Sequence, residues 1–259
     1  MGKQSHKINV RAMKVPALFI LFLFLSPRAT ATDLIELREV PKNFWDSLKE
    51  EGRPEGLLTL LAAGGAASIA RFGGTQNFND FRTADTLQRH KPLGARATDF
   101  GSFIGNPIYL LPAAVTTYFV GGSFDAHTTQ EFGLLSSEAL ALAGLETEVL
   151  KFSVPRLRPD HSDLAAFPSG HTSASFALAT VAASQWGWDV GVPAYVVAGF
   201  VGYSRMESNK HYLSDVLFGA GLGIASGRAV YKVRRRAHPG RYAFMPFVSP
   251  GGGGLEVLF

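Results

Sequence analysis

Long apolar stretches, separated by polar segments, dominate the chain after residue 56. Six of them run for 14 to 19 residues and are rich in Ala, Gly and Leu. They lack the alternation of apolar and polar positions that a half-buried strand would show, so their length favours helices. The stretches are Leu57–Ala70, Phe103–Val120, Phe132–Leu150, Thr172–Trp188, Val190–Tyr203 and Leu213–Val230. The pattern therefore predicts an all-α fold, a six-helix bundle within residues 57–236.

The segments around these stretches are shorter and more polar. Residues 32–56 are charged and mildly amphipathic, which predicts a short N-terminal helix or docking arm. Residues 71–100 predict a surface connection with room for a short helix. In the C-terminal tail, 237–259, apolar residues flank a glycine run and predict a small β-hairpin with its turn at Pro250–Gly254. Close helix approach is expected at the glycines Gly64, Gly65, Gly219, Gly221 and Gly223.

The first 31 residues have the pattern of a secretory signal peptide. Basic residues up to Lys14 precede the apolar run Val15–Leu25, and Ala29-Thr30-Ala31 offers a small-residue cleavage site. At about 1.5 Å per helical residue the run covers about 17 Å, short of the ~30 Å hydrocarbon core of a bilayer. We therefore expect cleavage after Ala31 and export, with a retained signal anchor as the alternative.

Composition removes several classes of protein. Of the 259 residues, 46% are hydrophobic and 18% are charged, which excludes a disordered acidic or basic tail protein. The chain has no cysteine, so disulfide scaffolds, iron–sulfur clusters and thiol nucleophiles are excluded. The net charge of +4 belongs to the leader, because residues 32–259 hold 20 basic and 21 acidic side chains. No nucleic-acid partner is expected.

The apolar stretches raise the question of membrane insertion. Gly101–Gly122 is uncharged and long enough to span a bilayer, but several other stretches are short. If the site loops faced outside, the cationic segment 71–100 would also lie outside and the acidic segment 121–131 inside, which inverts the positive-inside rule. We therefore expect an exported, periplasmic protein resting on the membrane surface. The alternative is an integral inner-membrane protein with its site facing the periplasm.

Three segments at the junctions of apolar stretches carry candidate chemistry. In one of them, Ser204-Arg205 is followed after five residues by His211 and after three more by Asp215. Residues four apart share a helical face, so Asp215 can bond one imidazole nitrogen and leave the other as a nucleophile. Arg205 supplies a planar cation suited to phosphate oxygens. A simple surface pair of His211 and Asp215 is the alternative.

The other two segments predict an anion site. Pro168-Ser169-Gly170-His171 opens an apolar helix, and the free amides of a helix N-terminus bind anions. His171 would then lie in the first turn, where it can give a proton to a leaving oxygen. Lys151, Arg156 and Arg158 lie on a segment that Pro155 and Pro159 make irregular, so we expect a constrained cationic loop. Arg156 fits either a phosphate ligand or a generic basic loop.

Together these segments resemble the signature of the type 2 phosphatidic acid phosphatase superfamily, which includes bacterial acid phosphatases and vanadium haloperoxidases. The family pattern is K-x6-R-P, then P-S-G-H, then S-R-x5-H-x3-D, and residues 151–215 match every fixed position. The fold implied is the family's all-α bundle. One departure is that only residues 160–167 separate the first two segments, whereas many members have more.

The resemblance implies a role for each matched residue. His211 attacks phosphorus and forms a phosphohistidine, Asp215 orients it, and His171 protonates the leaving group. The phosphate oxygens are bound by a second set, Lys151, Arg158, Ser169, Gly170 and Arg205. Neither a metal nor a cofactor is implied. Asp160, His161 and Asp163 could suggest a metal loop, but rim positions are favoured because no other ligand set accompanies them.

The sequence thus predicts a metal-independent phosphatase acting on phosphomonoester or diphosphate groups. The substrates favoured are membrane lipids such as phosphatidic acid, phosphatidylglycerophosphate, polyprenyl diphosphate or lipid A. The pair Trp186 and Trp188 could rest on lipid or belong to the core. Three alternatives stay open: an acid phosphatase on soluble esters, a vanadium haloperoxidase, and a non-catalytic anion-binding bundle.

Overall fold

The computed structural model describes residues 31–73, 79–237, 243–249 and 252–258. Within these ranges the chain forms nine helices and two strands. The helices are α1 (Ala31–Glu51), α2 (Pro54–Phe72), α3 (Asp80–His90), α4 (Gly94–Ile104), α5 (Pro107–Ser123), α6 (His127–Ser153), α7 (Gly170–Trp186), α8 (Trp188–Glu207) and α9 (Leu213–Ala237). The strands are β1 (Ala243–Ser249) and β2 (Gly252–Leu258). The predicted all-α bundle is confirmed, and the signal-peptide prediction falls on residues outside the described ranges.

The six predicted helices correspond to α2 and α5–α9, but the bundle has further helices. The segment that was expected to be a surface connection contains α3 and α4. Asn79 caps α3 by accepting the backbone N–H of Arg82 at 2.9 Å, and both Asp80 and Leu87 of that helix are buried. The predicted helix from Phe103 is instead broken after Ile104, because Asn106 caps a new helix that starts at Pro107.

Helix α9 lies at the centre and packs against α1, α2, α6 and α7. Leu135 and Leu142 of α6, Val181 of α7 and Val230 of α9 are fully or almost fully buried in one apolar cluster. Burying such side chains stabilises the bundle by about 1.5–3 kcal/mol each. This core fixes α6, α7 and α9, the helices that carry most of the site.

Glycines on α9 allow the close contacts with its neighbours. A methyl group on Gly219 would lie 2.8 Å from the carbonyl oxygen of Ser169, and one on Gly221 would lie 2.1 Å from Cβ of Ala63. These approaches leave no room for a side chain. The first places the start of α7 directly against α9. The expectation is wrong for Gly64 and Gly65, where the nearest atom lies 3.8 Å away or no atom lies within 4 Å.

The two strands pair antiparallel, with Ala243 opposite Leu258 and Ser249 opposite Gly252. A hairpin is predicted in this region, but the glycine run expected to form its turn lies partly inside β2, since Gly252–Gly254 pair with residues 247–249. The strands therefore extend closer to Pro250 than the sequence pattern suggests.

Within the described ranges, no single helix has both the length and the apolar character needed to cross a membrane. Helices α4 and α5, which are bent by 48° at their break, are together long and apolar enough to do so. Trp186 and Trp188 are partly exposed at the junction of α7 and α8. Trp186 also contacts Phe132, with ring centroids 4.6 Å apart. One part of its ring is therefore exposed, while another part packs against α6.

Candidate active site

Four helix ends meet at one pole of the bundle and bring the predicted site residues together. Lys151 lies in the last turn of α6, His171 in the first turn of α7 and Arg205 in the last turn of α8, while His211 lies two residues before the start of α9. Lys151 was expected on a loop. Helix α6 instead continues to Ser153, because Pro155 restricts the backbone only from the residue before it.

His211 is buried, and its ring nitrogens have different partners. Nδ1 lies 2.7 Å from the carbonyl oxygen of Ala166, and Nε2 lies 3.2 Å from Nη1 of Arg158. A carbonyl oxygen only accepts, so Nδ1 carries the hydrogen and Nε2 keeps the lone pair. This tautomer leaves the Nε2 lone pair facing the guanidinium of Arg158, a group that also binds phosphate well.

The predicted hydrogen bond between Asp215 and His211 is not formed. Oδ2 of Asp215 lies 3.9 Å from Nδ1 of His211 and accepts the backbone N–H of Tyr212 at 2.8 Å. The spacing argument assumed that both residues lie on one helix, whereas His211 precedes the first residue of α9, Leu213. Asp215 therefore acts at the start of α9 and on the ion pair that it makes with Arg156.

Arg156, which the sequence left undecided, forms a buried ion-pair network behind His211. Its guanidinium pairs with Asp215 and donates to Oδ2 of Asp80 at 2.7 Å and to Oγ of Ser214 at 2.6 Å. It also lies over the ring of Tyr212, 4.3 Å from the centroid. These contacts occupy the guanidinium, so Arg156 holds the His211 segment against α3 rather than binding phosphate.

His171 is half-buried among three cations. Burial lowers its pKa to about 3, helped by Arg205, Lys151 and Arg158, while a hydrogen bond to the Ser102 backbone opposes the shift. The pKa of His211 is likewise far below its usual value, through burial first and then Arg158. Both imidazoles are therefore neutral at neutral pH when no anion occupies the site.

Arg205 is one of the three cations whose charge acts on His171. Nη1 of Arg205 donates to Oγ of Ser102 at 2.6 Å, while its buried Nε has no hydrogen-bond partner among the described residues. Burial, then the charge of Arg158, lowers the pKa of Arg205 to about 10, so it stays charged at neutral pH. Arrangements of like charges that lower one another's pKa are typical of anion sites.

Ser169, Gly170 and Lys151 form the helix-end part of the site. Ser169 is the N-cap residue of α7 and is buried, with its hydroxyl accepting from Thr172 at 2.9 Å. A methyl group on Gly170 would lie 3.5 Å from Nζ of Lys151, so this ammonium lies beside the free amides of α7. Nζ also donates to Glu148 at 2.8 Å. Amides and ammonium together favour an anion at this helix end.

The short loop between the first two motif segments forms the rim. Asp163 accepts from Nε of Arg158 at 2.7 Å, and Asp160 pairs with Lys210 and accepts from Oγ of Ser162 at 2.7 Å. Hydrogen bonds and cations lower the pKa of both carboxyls, for Asp160 to about 2. These carboxylates lie in ion pairs at the rim, as the favoured interpretation of the sequence expected.

Sequence reasoning missed three contributors to the site. The Ala166 carbonyl is a backbone group, so no side-chain pattern signals it. Asp80 and Ser102 lie far from the motif along the chain, in segments without periodic motifs. The Asn79-Asp80 pair, a capping residue before an acid in a helical first turn, was the available signal for α3.

The chain is similar in sequence to known phosphatases. The PAP2 superfamily model matches residues 132–239. Lipid A 1-phosphatase of Porphyromonas gingivalis is 38% identical over 52% of this chain and 32% of its own length. Phosphatidylglycerophosphatase B of Bacillus subtilis is 30% identical over 47% of this chain and 66% of its own length. A probable diacylglycerol pyrophosphate phosphatase 1 of Schizosaccharomyces pombe is 36% identical over 33% and 36%. The match thus spans about a third of the length of two of these relatives and about two thirds of the other.

Two solved structures share the fold. A transmembrane PAP2-type phosphatidylglycerolphosphate phosphatase from Bacillus subtilis has a TM-score of 0.59 and 23% identity, over 76% of this chain and all of that one. Aquifex aeolicus LpxE has a TM-score of 0.50 and 21% identity, over 59% of this chain. At these identities the likeness concerns the fold alone.

Proposed function

We propose that the chain, whose residues 132–239 match the PAP2 superfamily model, is a metal-independent phosphatase that hydrolyses phosphate groups of membrane lipids. The observation that carries the proposal is the arrangement of His211 and His171, both neutral, among Lys151, Arg158 and Arg205. Three cations and a helix N-terminus match the charge of a phosphoryl group, and two imidazoles supply a nucleophile and a proton donor.

The substrate phosphate binds first, between the three cations and the amides of α7. Nε of Arg205 gains an acceptor, and Arg158 moves its hydrogen bond from His211 to a phosphate oxygen. That exchange frees the Nε2 lone pair of His211 for attack. The dianion also cancels the positive field that lowers the pKa of His171, so His171 takes up a proton on binding.

Phosphoryl transfer then proceeds in two balanced steps. Nε2 of His211 forms a bond to phosphorus while the bond from phosphorus to the leaving oxygen breaks, and His171 gives its proton to that oxygen. In the second step, His171 accepts a proton from water, the water oxygen attacks phosphorus, and the bond to Nε2 breaks. The Ala166 carbonyl holds the Nδ1 hydrogen through both steps.

The relatives support a lipid substrate. The three curated relatives are named for lipid A, diacylglycerol pyrophosphate and phosphatidylglycerophosphate. Phosphorylated lipids share a phosphate held at the end of hydrocarbon chains, and the site lies at one pole of a bundle with many exposed apolar side chains. We place the protein at the outer side of an inner membrane, exported and membrane-associated, which agrees with the leader pattern.

The test is phosphate release by the wild type and His211→Ala, with a chelator present throughout. The panel pairs a soluble aryl phosphate with phosphatidic acid, phosphatidylglycerophosphate, undecaprenyl diphosphate and lipid A. Chelator-resistant turnover that is lost in His211→Ala supports the proposal, and preference for the lipids supports the substrate class. A preference for the aryl ester would favour a soluble acid phosphatase, and no turnover at all would contradict the proposal.

A further inference from the structure

An apolar groove of about 340 Å³ lies between α7 and α8, with α4 and α5 beside it. Its walls are aliphatic and aromatic, with Ser175 as the polar exception. Its lining includes Ile104, Ser175, Val190, Ala194, Val197 and Val201. It is distinct from the phosphate site, because neither histidine nor any of the three site cations lines it.

The groove begins where the phosphate site ends. Each of three lining helices holds an active-site residue within one turn of a groove residue. The pairs are His171 and Ser175 on α7, Arg205 and Val201 on α8, and Ser102 and Ile104 on α4. From Val201 the groove follows α8 to Val190, which is about 16 Å at the helical rise per residue. It therefore runs lengthwise away from the phosphate-binding cations.

The polarity of the groove changes along its length. At the site end, Oγ of Ser175 is buried and has no hydrogen-bond partner among the described residues. At the far end, Trp186 and Val190 are partly exposed, so the groove opens to the surroundings. This distribution of polar and apolar groups matches a ligand whose polar part lies at the site end and whose remainder is a hydrocarbon chain.

We propose that this groove holds one hydrocarbon chain of the lipid whose phosphate lies among Lys151, Arg158 and Arg205. The proposal rests on the proposed function and deepens it. A peptide segment fits poorly, since beyond Ser175 the lining residues offer one polar side-chain atom, the indole N–H of Trp186 at the open end, and an unpaired buried amide is costly. Ser175 would face the polar linker between phosphate and chain.

A second cavity of similar size offers a contrast. It lies between α2 and α9 and is lined by Arg71, Phe72, Phe167 and Phe218, among others. Arg156 also lines it, and this side chain is fixed to Asp80 and Asp215. The Arg156 network thus stands between that cavity and His211, which leaves the α7–α8 groove as the path for the chain.

The experiment measures how the rate depends on chain length. Monoacyl glycerol phosphates of increasing length, each below its aggregation concentration, are compared with a soluble aryl phosphate. In the wild type, kcat/KM should rise by up to about fourfold per added methylene until the groove is full. Ala194→Phe and Val197→Phe place a ring in the groove and should flatten that rise while leaving aryl phosphate turnover unchanged. Val196→Phe, an equal enlargement at an exposed position on α8, is the matched control.

The outcomes separate the groove from the proposed function. Flattening in either groove variant, with the wild-type slope in Val196→Phe, supports the proposal. The wild-type slope in both groove variants overturns it, even where His211 is essential for turnover. If Ala194→Phe also loses aryl phosphate turnover, its fold is disturbed, and the chain-length dependence of Val197→Phe, a substitution at a partly exposed position, then tests the proposal. Lipid turnover that survives in His211→Ala would count against the proposed function instead.

Discussion

The carbonyl oxygen of Ala166 lies 2.7 Å from Nδ1 of His211, closer than either carboxylate oxygen of Asp215. Ala166 precedes Phe167 and the N-terminal segment of α7. Its backbone N–H donates to the carbonyl oxygen of Arg156 at 3.0 Å. The group that orients His211 is thus a backbone carbonyl, held by the loop that follows the first motif segment. Asp215 supports the same segment from the side of α9.

This relationship predicts that Asp215→Asn keeps the tautomer of His211. The carbonyl of Ala166 still accepts from Nδ1, so the ¹⁵N shifts of His211 should show a protonated Nδ1 in both wild type and variant. The variant should lose about 1.5–3 kcal/mol of stability, because Arg156 loses a charged hydrogen-bond partner. A proton on Nε2 in Asp215→Asn would show that Asp215, not Ala166, sets the tautomer.

A second prediction concerns the buried anchor on α3. Asp80→Asn should reduce the free energy of unfolding by about 1.5–3 kcal/mol, because it leaves the buried Arg156 with one carboxylate instead of two. Urea unfolding measures the change. Asp85→Asn on the same helix is the control, since its pair with Arg89 is exposed and should change stability by less than about 0.5 kcal/mol. Equal effects of the two substitutions would contradict the role given to Asp80.

The sequence could predict that the motif residues meet, because each segment lies at the end of an apolar helix and the three segments together match one family pattern. The residues outside the motif that contact this site, such as Asp80, could not be predicted from the sequence. Asp80 is 76 residues from Arg156, and its burial depends on how α3 packs, which no local pattern encodes. The hydrogen bond predicted from the helical spacing of His211 and Asp215 is absent for a local reason, because α9 starts two residues after His211.

The fold was predictable where apolar stretches were long, as in α6, α7 and α9. For the polar helix α3 the sequence indicated only a surface connection with room for a short helix, because the stability of α3 comes from Asn79, Asp80 and Leu87 rather than from an extended apolar face. The break after Ile104 was missed for the opposite reason. Apolar residues continue on both sides of it, while the backbone turns at Gly105 and Asn106.

A third prediction follows from the charges around His171. In the empty site its pKa is about 3, through burial and three cations, so it is neutral above about pH 4. Bound phosphate or vanadate reverses the local charge and raises that pKa. Titration of the His171 ring by NMR should therefore show a higher pKa with vanadate than without it, and binding should take up a proton. Equal pKa values in both states would remove His171 as the proton donor.

A fourth prediction uses two carboxyls remote from the site. Glu51 and Glu146 share Oγ of Ser226, and burial, reinforced by Glu146, raises the pKa of Glu51 to about 10. A folded pKa above the unfolded value means that stability falls as pH rises from about 4.5 towards the folded pKa. Glu51→Gln should therefore raise the melting temperature at about pH 8 and change it little at about pH 4.

Glu55 supplies a control of opposite sign. Its pKa is lowered, chiefly by Lys232, so its contribution is present above the unfolded pKa and lost as pH falls. Glu55→Gln should lower the melting temperature near neutral pH and have little effect in acid. If both substitutions shifted the melting temperature in the same direction at about pH 8, the assignment of charge to these two carboxyls would be wrong.

If the phosphoryl group passes through His211, it can be trapped there as phosphohistidine. Wild type and His171→Ala are mixed with a ³²P-labelled phosphatidic acid, quenched in alkali, which preserves phosphohistidine, and digested for mass spectrometry. We predict label on the peptide that contains His211, with more of it in His171→Ala if that variant slows the water step more than the first step. His211→Ala should carry none. Turnover in the wild type without label at His211, or label that persists in His211→Ala, would contradict the account.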